Sequence, residues 1–364
     1  MDGYISTYII YNLIFLPFLF YFMAANFYLK KIRFYIFYMA SFFILIAISG
    51  LRYRVGADYE SYSWIYNNLE LYQSGYSVEW GFYYLVKFLN LLNLDEQFLF
   101  FTVSFLTIYF IFRVDVNRND IFLFLVLFYV LLFYFRSFNE IRQLMAMSIV
   151  FYALISYLNN FKLFYFFIFV CFASLFHSSV ILFVPLILFA RLIRYRIVIF
   201  LITLLLSIFL IFFDVGGFLL EHKLLSFSKL EYYLYDDHYS LLNTTLGAIA
   251  KLLMKSFVVI CLFFIPSKYF NDVKKAYNVT LYLNSALLVL IFASYNFYIL
   301  HRVVLLFELS ILCSVYVLLK SSYNRKYLII SLGAILNFML YEYFVFIETY
   351  YDTAPYQSIL DRNY

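Results

Sequence analysis

The chain has few charged residues: only 13% of its 364 residues are Asp, Glu, Lys or Arg, whereas 66% are hydrophobic. A soluble domain carries about 25% charged residues, so this composition excludes an ordinary soluble protein. In a bilayer every backbone polar group must be paired within the protein, which leaves helices or a closed barrel. The apolar runs are about 20 residues long and do not alternate with polar residues, so they predict an all-α, polytopic integral membrane protein.

Glycine, proline and cysteine are also scarce, with nine, four and three copies. So few glycines and prolines argue against the broken helices on which many secondary transporters build their substrate sites. The cysteines lie in apolar runs, which predicts small core residues and neither disulfides nor metal ligands. We therefore predict no cofactor and no metal, and the modest net charge of +5 indicates no nucleic-acid partner.

Basic residues cluster between certain apolar runs, and the positive-inside rule places those clusters in the cytoplasm. This predicts about twelve spans within a single transmembrane domain over 1–364, both termini outside, and outer segments at 52–96 and 214–245 that border an extracytoplasmic cavity. The predicted spans are 4–28, 34–51, 97–112, 121–135, 141–158, 163–176, 178–190, 197–213, 246–265, 277–297, 303–319 and 327–347.

Two segments do not fit a simple crossing. As one helix, 161–190 would be about 45 Å long, too long for a hydrocarbon core of about 30 Å. We predict a two-limbed hairpin that turns at "FHSS" (176–179). The run 80–94 is short and contains Lys87, so we predict an amphipathic helix along the outer surface.

Under this topology the unusual polar residues collect on the outer side, where charges at membrane depth indicate function by default. Guanidinium groups bind phosphate oxygens through paired hydrogen bonds and keep their charge. Four arginines are therefore predicted to bind a lipid-linked diphosphate, although snorkelling to the interface is an alternative for each. They are Arg52, Arg54, Arg142 and Arg302.

Glycosyl transfer also needs a base that takes the proton of the acceptor hydroxyl. The candidates are Asp58, Glu140 and His177, which sequence alone does not rank. Lys251 and Lys255 are four residues apart on one helix face and could line a path for phosphate or sugar, or snorkel at a helix end. The outer run "KLEYYLYDDHYS" (229–240) suits sugar stacking or a solvated amphipathic segment.

Three stretches, together with the tail "APYQSIL" (354–360), resemble the EpsG-like, Wzy-type polysaccharide polymerases. "GLRYRVGADYESY" (50–62) resembles their R-x-x-x-G-x-D-Y segment, "FNEIRQLMAMSI" (138–149) their N-x-x-R-Q-x-x-A motif, and "ASLFHSSVILFVPL" (173–186) their A-x-x-F-H-x-S segment. Beyond the residues already named, the resemblance assigns roles to Gly56, Tyr59, Asn139 and Gln143, the last three as substrate-binding residues.

The resemblance implies a multi-pass protein of the bacterial cytoplasmic membrane. Its activity would be inverting, metal-independent transfer between undecaprenyl-diphosphate-linked oligosaccharides on the outer side. The expected partners are a lipid-linked donor and acceptor, membrane lipids and a chain-length regulator.

Three other functions stay open. An O-antigen ligase uses the same kind of donor with another acceptor. A flippase of lipid-linked oligosaccharide would need ionisable residues near mid-membrane, for which Lys251, Lys255, Glu308 and Glu342 are candidates. A membrane O-acyltransferase would need a catalytic His on the cytosolic side, opposite to the predicted side of His177.

Overall fold

A computed structural model describes residues 2–24, 30–75, 78–114, 118–159, 162–190, 196–213, 218, 246–295, 300–349 and 351–362. Over these ranges the regular structure is helical without β-strands, and an isolated antiparallel bridge joins Arg52 to Ser358. The predicted all-α class is therefore confirmed. Most of the outer run 214–245, with its aromatic and acidic residues, lies outside the described residues.

The chain divides into two compact units, one formed by Met1–Ile181 with Phe338–Tyr364 and the other by Leu182–Asn337. The single transmembrane domain stays a prediction. The α-helices of the first unit are α1 (Asp2–Asn12), α2 (Leu16–Met23), α3 (Lys30–Gly50), α4 (Tyr59–Asn67), α5 (Leu69–Gly75), α6 (Trp80–Leu91), α7 (Glu96–Phe112), α8 (Asn119–Tyr129), α9 (Ile141–Leu158) and α10 (Leu163–Ser174).

The second unit contains further helices, the last of which continues into the first unit from Phe338 onward. They are α11 (Phe183–Phe189), α12 (Arg196–Phe212), α13 (Leu246–Lys255), α14 (Phe257–Phe264), α15 (Lys274–Ala293), α16 (Leu300–Phe307), α17 (Leu309–Lys320) and α18 (Lys326–Glu342).

Six helical segments within the described ranges are long and apolar enough to cross a membrane, and α13 with α14, bent by 65°, could form a seventh crossing. Five more apolar helices are shorter, at 10–17 residues. The chain is thus a multi-pass membrane protein, while the number of twelve spans stays a prediction. The six long segments are Gly3–Met23, Lys30–Gly50, Ile141–Leu158, Ser267–Ala293, Leu300–Lys320 and Lys326–Ile347.

Helix α9 forms the centre of the first unit, where 83% of its apolar window is buried. It packs against α7 and α10, and α7 also packs against α3. A helix that is apolar on nearly every side can be buried all round, which explains why α9 is central. By contrast, only 28% and 33% of the windows in Gly3–Met23 and Lys30–Gly50 are buried, as expected for helices that face lipid.

The two unusual segments behave differently from simple spans. The run 161–190 is interrupted after α10 by a turn at 175–177, before a short 3₁₀ helix and α11. The interruption lies where the hairpin turn was predicted. Helix α6 within 80–94 is confirmed, but its exposed face includes the apolar side chains of Trp80, Tyr84 and Phe88, a composition suited to the membrane–water interface.

The end of the chain folds back onto the segment that follows α3. The Tyr53 N–H donates to the Gln357 carbonyl at 2.9 Å, and the Ile359 N–H donates to the Leu51 carbonyl at 2.8 Å. We call residues 351–362 the C-terminal segment. It is the neighbour that satisfies the irregular backbone of 51–56, which lies outside any helix.

Candidate functional site

The start of α6 is held against the end of α10 by one close backbone contact. The Gly81 N–H donates to the Leu175 carbonyl at 2.7 Å. A Cβ on Gly81 would lie 2.7 Å from the same oxygen, so only glycine permits this approach. Because Glu79 directly precedes α6 and His177 follows Leu175, the contact brings these two side chains together.

Glu79 links a cation and an imidazole through its two carboxylate oxygens. Arg142 Nη1 donates to Glu79 Oε2 at 2.6 Å, and His177 Nδ1 lies 3.3 Å from Glu79 Oε1. The three side chains come from the start of α6, the first turn of α9 and the turn after α10. We call Glu79, Arg142 and His177 the Glu79 cluster.

The Glu79 cluster is partly open to solvent, since 20–25% of each side chain is exposed. Burial disfavours the charged form of Glu79, but the contact with His177 and the charge of Arg142 outweigh it. Together they lower the pKa of Glu79 from 4.5 to about 2. Glu79 is therefore ionised at neutral pH and is a weak base, which suits a residue that orients its two neighbours.

Aromatic rings border the guanidinium of Arg142. Its Cζ lies 6.0 Å from the ring centroid of Tyr62 and 5.6 Å from that of Phe82. Burial raises the pKa of the Tyr62 hydroxyl, the charge of Arg142 opposes this rise, and Asp58 and Glu140 add to it. Both rings lie close enough to the guanidinium to add cation–π attraction.

Arg52, the first arginine of the family-like motif, is only 1% exposed. Its Nη2 donates to the Phe138 carbonyl at 2.8 Å, and its Cζ lies 5.1 Å and 4.5 Å from the ring centroids of Phe100 and Phe138. Burial lowers its pKa to about 10, while neighbouring tyrosines oppose this change. Its position joins the 51–56 segment to the residues before α9.

Gly56 shapes the turn of the same motif. Its φ of +101° falls in the left-handed region that favours glycine, and a Cβ there would lie 2.6 Å from Asn139 Oδ1. The Gly56 N–H donates to the Asp352 carbonyl, and Asn139 Nδ2 donates to the Tyr351 carbonyl at 3.0 Å. The C-terminal segment therefore ties two motifs that are far apart in the sequence.

Residues 35–358, nearly the whole chain, match the EpsG family. The chain belongs to the EpsG family. It is therefore a membrane protein of the polysaccharide-polymerase type, and the resemblance predicted from its motifs is confirmed. No curated protein and no solved structure matches it.

Other motif residues of this EpsG chain belong to the same unit as the Glu79 cluster. Asp58 directly precedes α4, and Tyr59 is buried with its ring stacked on Phe100 at 4.2 Å. Glu140 directly precedes α9, and its Oε1 lies 3.3 Å from Arg136 Nη2. Gln143 is buried in the first turn of α9.

Arg54 lies at the surface of the first unit. Its side chain is 62% exposed, and its Nε lies 3.1 Å from Glu60 Oε1. The φ of Arg54 is +52°, in the left-handed region. It is thus the solvent-facing arginine of the motif, whereas Arg52 is the enclosed one.

The remaining predicted residues belong to the second unit. Arg302 is exposed in the first turn of α16, and Lys251 is partly buried in α13. Lys255 ends α13, and its Nζ lies 3.7 Å from Glu308 Oε1. Glu308 in turn occupies the break between α16 and α17.

No group of three or more His, Cys, Asp or Glu side chains is arranged to hold a metal ion within the described ranges. The spacing of His222, Asp236, Asp237 and His238 in the sequence is not specific enough to predict a metal site, and these residues lie outside those ranges.

Sequence reasoning missed Glu79, Tyr62 and Gly81 as parts of the site. A signal for Glu79 was present, because an acidic residue just before an apolar helix suits the helix N-terminus. Its contact with Arg142, 63 positions later in the chain, could not be read from local spacing.

Proposed function

We propose that this protein joins lipid-linked oligosaccharide repeats by inverting, metal-independent glycosyl transfer, with undecaprenyl diphosphate as the anionic carrier. The reaction is proposed to occur on the outer side of the bacterial cytoplasmic membrane, in a cavity that contains the Glu79 cluster. The observation that carries the proposal is the meeting of an ionised carboxylate, an arginine and a histidine in one partly exposed cluster.

Arg142 is proposed to bind the diphosphate. Its Nη1 is held by Glu79, and 22% of its side chain stays exposed. A guanidinium can therefore keep one edge on Glu79 and offer other N–H groups to phosphate oxygens. As the sugar–phosphate bond breaks, negative charge builds on the leaving diphosphate, and a fixed cation stabilises it.

His177 is proposed to be the base. Its Nδ1 faces Glu79, which leaves Nε2 to accept the proton of the acceptor hydroxyl. The arrangement resembles other catalytic histidines, which a carboxylate orients through one ring nitrogen. Among the bases predicted from sequence, His177 lies 3.3 Å from the arginine-bound carboxylate, and Glu140 lies 3.3 Å from Arg136.

These groups account for the bonds, the proton and the electron pair that change in the proposed reaction. The acceptor oxygen forms a bond to the anomeric carbon of the donor sugar as the bond from that carbon to the diphosphate breaks. The acceptor proton moves to His177, and the electron pair leaves with the diphosphate beside Arg142. Attack opposite to the leaving group inverts the anomeric configuration.

The first test is replacement of Arg142 by Lys and, separately, by Ala in the producing strain. We expect both variants to lose polymer about 100-fold, because lysine keeps the charge but not the paired N–H groups. Polymer length is read on a gel of surface glycan, with membrane abundance measured in parallel. Arg118→Lys, which alters another arginine–carboxylate contact with Asp120, is the matched control and should leave polymer unchanged.

A deletion strain separates the competing functions. Loss of polymer with a single repeat retained at the surface supports a polymerase. Loss of all surface repeats with lipid-linked repeat trapped inside would instead support a flippase. Normal polymer from Arg142→Lys would contradict the proposed phosphate contact.

A further inference from the structure

A groove lined by both polar side chains and leucines lies on the first unit at the far end of α6 from Glu79. Its volume is about 400 Å³. The end of α4, the start of α5 and the last turns of α6 line it. Its polar side chains are Asn67, Asn68, Glu70, Lys87 and Asn90.

We propose that this groove binds the neutral saccharide part of the growing glycan, beyond the sugar that reacts at the Glu79 cluster. The proposal rests on the proposed function, because it assigns a second contact for the same acceptor. It predicts that the groove determines how long the polymer becomes, whereas the Glu79 cluster determines whether repeats are joined.

The charge of the groove suits a neutral ligand. Lys87 Nζ lies 3.8 Å from Glu70 Oε1, and Tyr83 donates from its hydroxyl to the same oxygen at 3.0 Å. The two charges offset each other, and the three asparagines are neutral. A phosphate would require an excess of cations, whereas sugar hydroxyls require donors and acceptors side by side.

The asparagine side chains are held in fixed orientations. Asn68 Nδ2 donates to the Trp64 carbonyl at 3.0 Å, and Asn90 Nδ2 donates to the Tyr66 carbonyl at 3.2 Å. Each amide thus uses an N–H on the backbone, and its Oδ1 can accept a hydrogen bond from a sugar hydroxyl. Groups held in place before binding lose less entropy when the ligand arrives.

Two helices connect the Glu79 cluster to the groove. Helix α4 carries Tyr62 beside Arg142 and ends at the groove with Asn67. Helix α6 begins after Glu79 and reaches the groove at Lys87 and Asn90, a distance of about 12–16 Å at 1.5 Å per residue. A glycan leaving the cluster along these helices would reach the groove within a few sugar residues.

An exposed indole lies one turn before Asn68. The Trp64 side chain is 51% exposed and packs edge-on against Tyr72. Amphipathic rings of this kind offer an apolar face to the C–H groups of a sugar. Trp64 therefore provides a natural fluorescent reporter for the groove.

The test uses the double variant Asn68→Ala with Asn90→Ala in the full-length protein. The matched control is Asn12→Ala, because Asn12 Nδ2 donates to the Tyr8 carbonyl with the same four-residue spacing on α1. We expect the double variant to shorten the mean polymer about fivefold, while the joining of the first two repeats continues. The control should give polymer of normal length.

A binding measurement accompanies the length measurement. The sequence has two tryptophans, so a Trp80→Phe background leaves Trp64 as the fluorophore. The probe is the oligosaccharide released by mild acid from the lipid-linked repeat. We expect a saturable fluorescence change that the double variant loses.

Each outcome decides one proposal. Unchanged polymer length in the double variant, or no saturable binding in the Trp80→Phe protein, would overturn the groove assignment. Loss of the first joining step at normal protein level would also overturn it, because the asparagines would then act in the reaction itself. If Arg142→Ala still makes normal polymer, the proposed function fails independently of the groove.

Discussion

Two carboxylate–cation pairs, one in each unit, differ in their spacing and in their exposure to solvent. In the Glu79 cluster the paired atoms are 2.6 Å apart and the two side chains are 20% and 22% exposed. In the second unit, Lys255 and Glu308 are 3.7 Å apart and only 8% and 1% exposed. The first pair is tight and accessible, whereas the second is enclosed.

Their places in the helices differ too. Glu79 lies at the start of a helix, where a ligand can approach. Lys255 and Glu308 lie at two helix breaks, after α13 and before α17. Buried opposite charges compensate each other's desolvation, so their mutual contact matters more for folding than for binding. Accessibility and helix position, more than charge itself, therefore distinguish the two pairs.

The largest effect is expected from a substitution that breaks the enclosed pair. We predict that Glu308→Leu lowers the free energy of unfolding by about 3–5 kcal/mol, because it removes the carboxylate that offsets the charge of the buried Lys255. The double variant Lys255→Met with Glu308→Leu should recover most of that loss. Membrane abundance and thermal unfolding in detergent measure both. Equal stability of the single variant and the wild type would contradict a role of this pair in folding.

A change in the accessible pair should reduce activity more than stability. We predict that Glu79→Gln lowers polymer formation about 100-fold, because His177 and Arg142 lose the carboxylate that orients them. Its abundance should fall less than that of Glu308→Leu, since Glu79 contributes less to folding. Asp120→Asn, which alters the contact with Arg118, is the control. A large fall in abundance with normal activity per molecule would contradict this prediction, because both pairs would then act mainly in folding.

Acid should reveal the ionised state of Glu79. Its pKa of about 2 in the folded protein lies below the usual 4.5, so the ionised form stabilises folding above about pH 4.5 and this contribution is lost as pH falls towards 2. Between pH 5 and pH 3 we predict that the wild type loses about 2 kcal/mol more than Glu79→Gln. Melting curves across this range test it. Parallel curves for the two proteins would contradict it.

The smallest effect tests the contact that positions Glu79. We predict that Gly81→Ala lowers polymer formation about tenfold, because the added methyl group pushes α6 away from the Leu175 carbonyl. The control is Gly3→Ala, where a Cβ would meet its nearest neighbour at an ordinary 3.6 Å. Chain assembly rates in membranes measure both. Equal rates would show that the cluster tolerates displacement of the helix.

Much of the helical fold could be predicted from the sequence, because long apolar runs leave the backbone few alternatives in lipid. Local motifs also predicted Arg142 and His177, since both stand out as polar residues between apolar helices. The contact that unites them could not be predicted, because Glu79 meets both across long stretches of chain. The missing information was the tertiary packing of the start of α6 against the turn after α10 and the first turn of α9.

Arg52 shows the converse difficulty. Its motif predicted an arginine that binds phosphate, but the rings of Phe100 and Phe138 enclose it. Those rings come from α7 and from the 3₁₀ turn before α9, so their approach depends on tertiary packing. Spacing along the chain therefore could not show which arginine of a motif is enclosed and which one is exposed.

The C-terminal segment has a consequence for biosynthesis. Gly56 and Asn139 receive their backbone partners from Asp352 and Tyr351, and Tyr351 is synthesised 212 residues after Asn139. The 51–56 loop therefore stays without these partners while the intervening helices are translated and enter the membrane. A nascent chain stalled before Tyr351 would contain both motifs and still lack the contacts that tie them together.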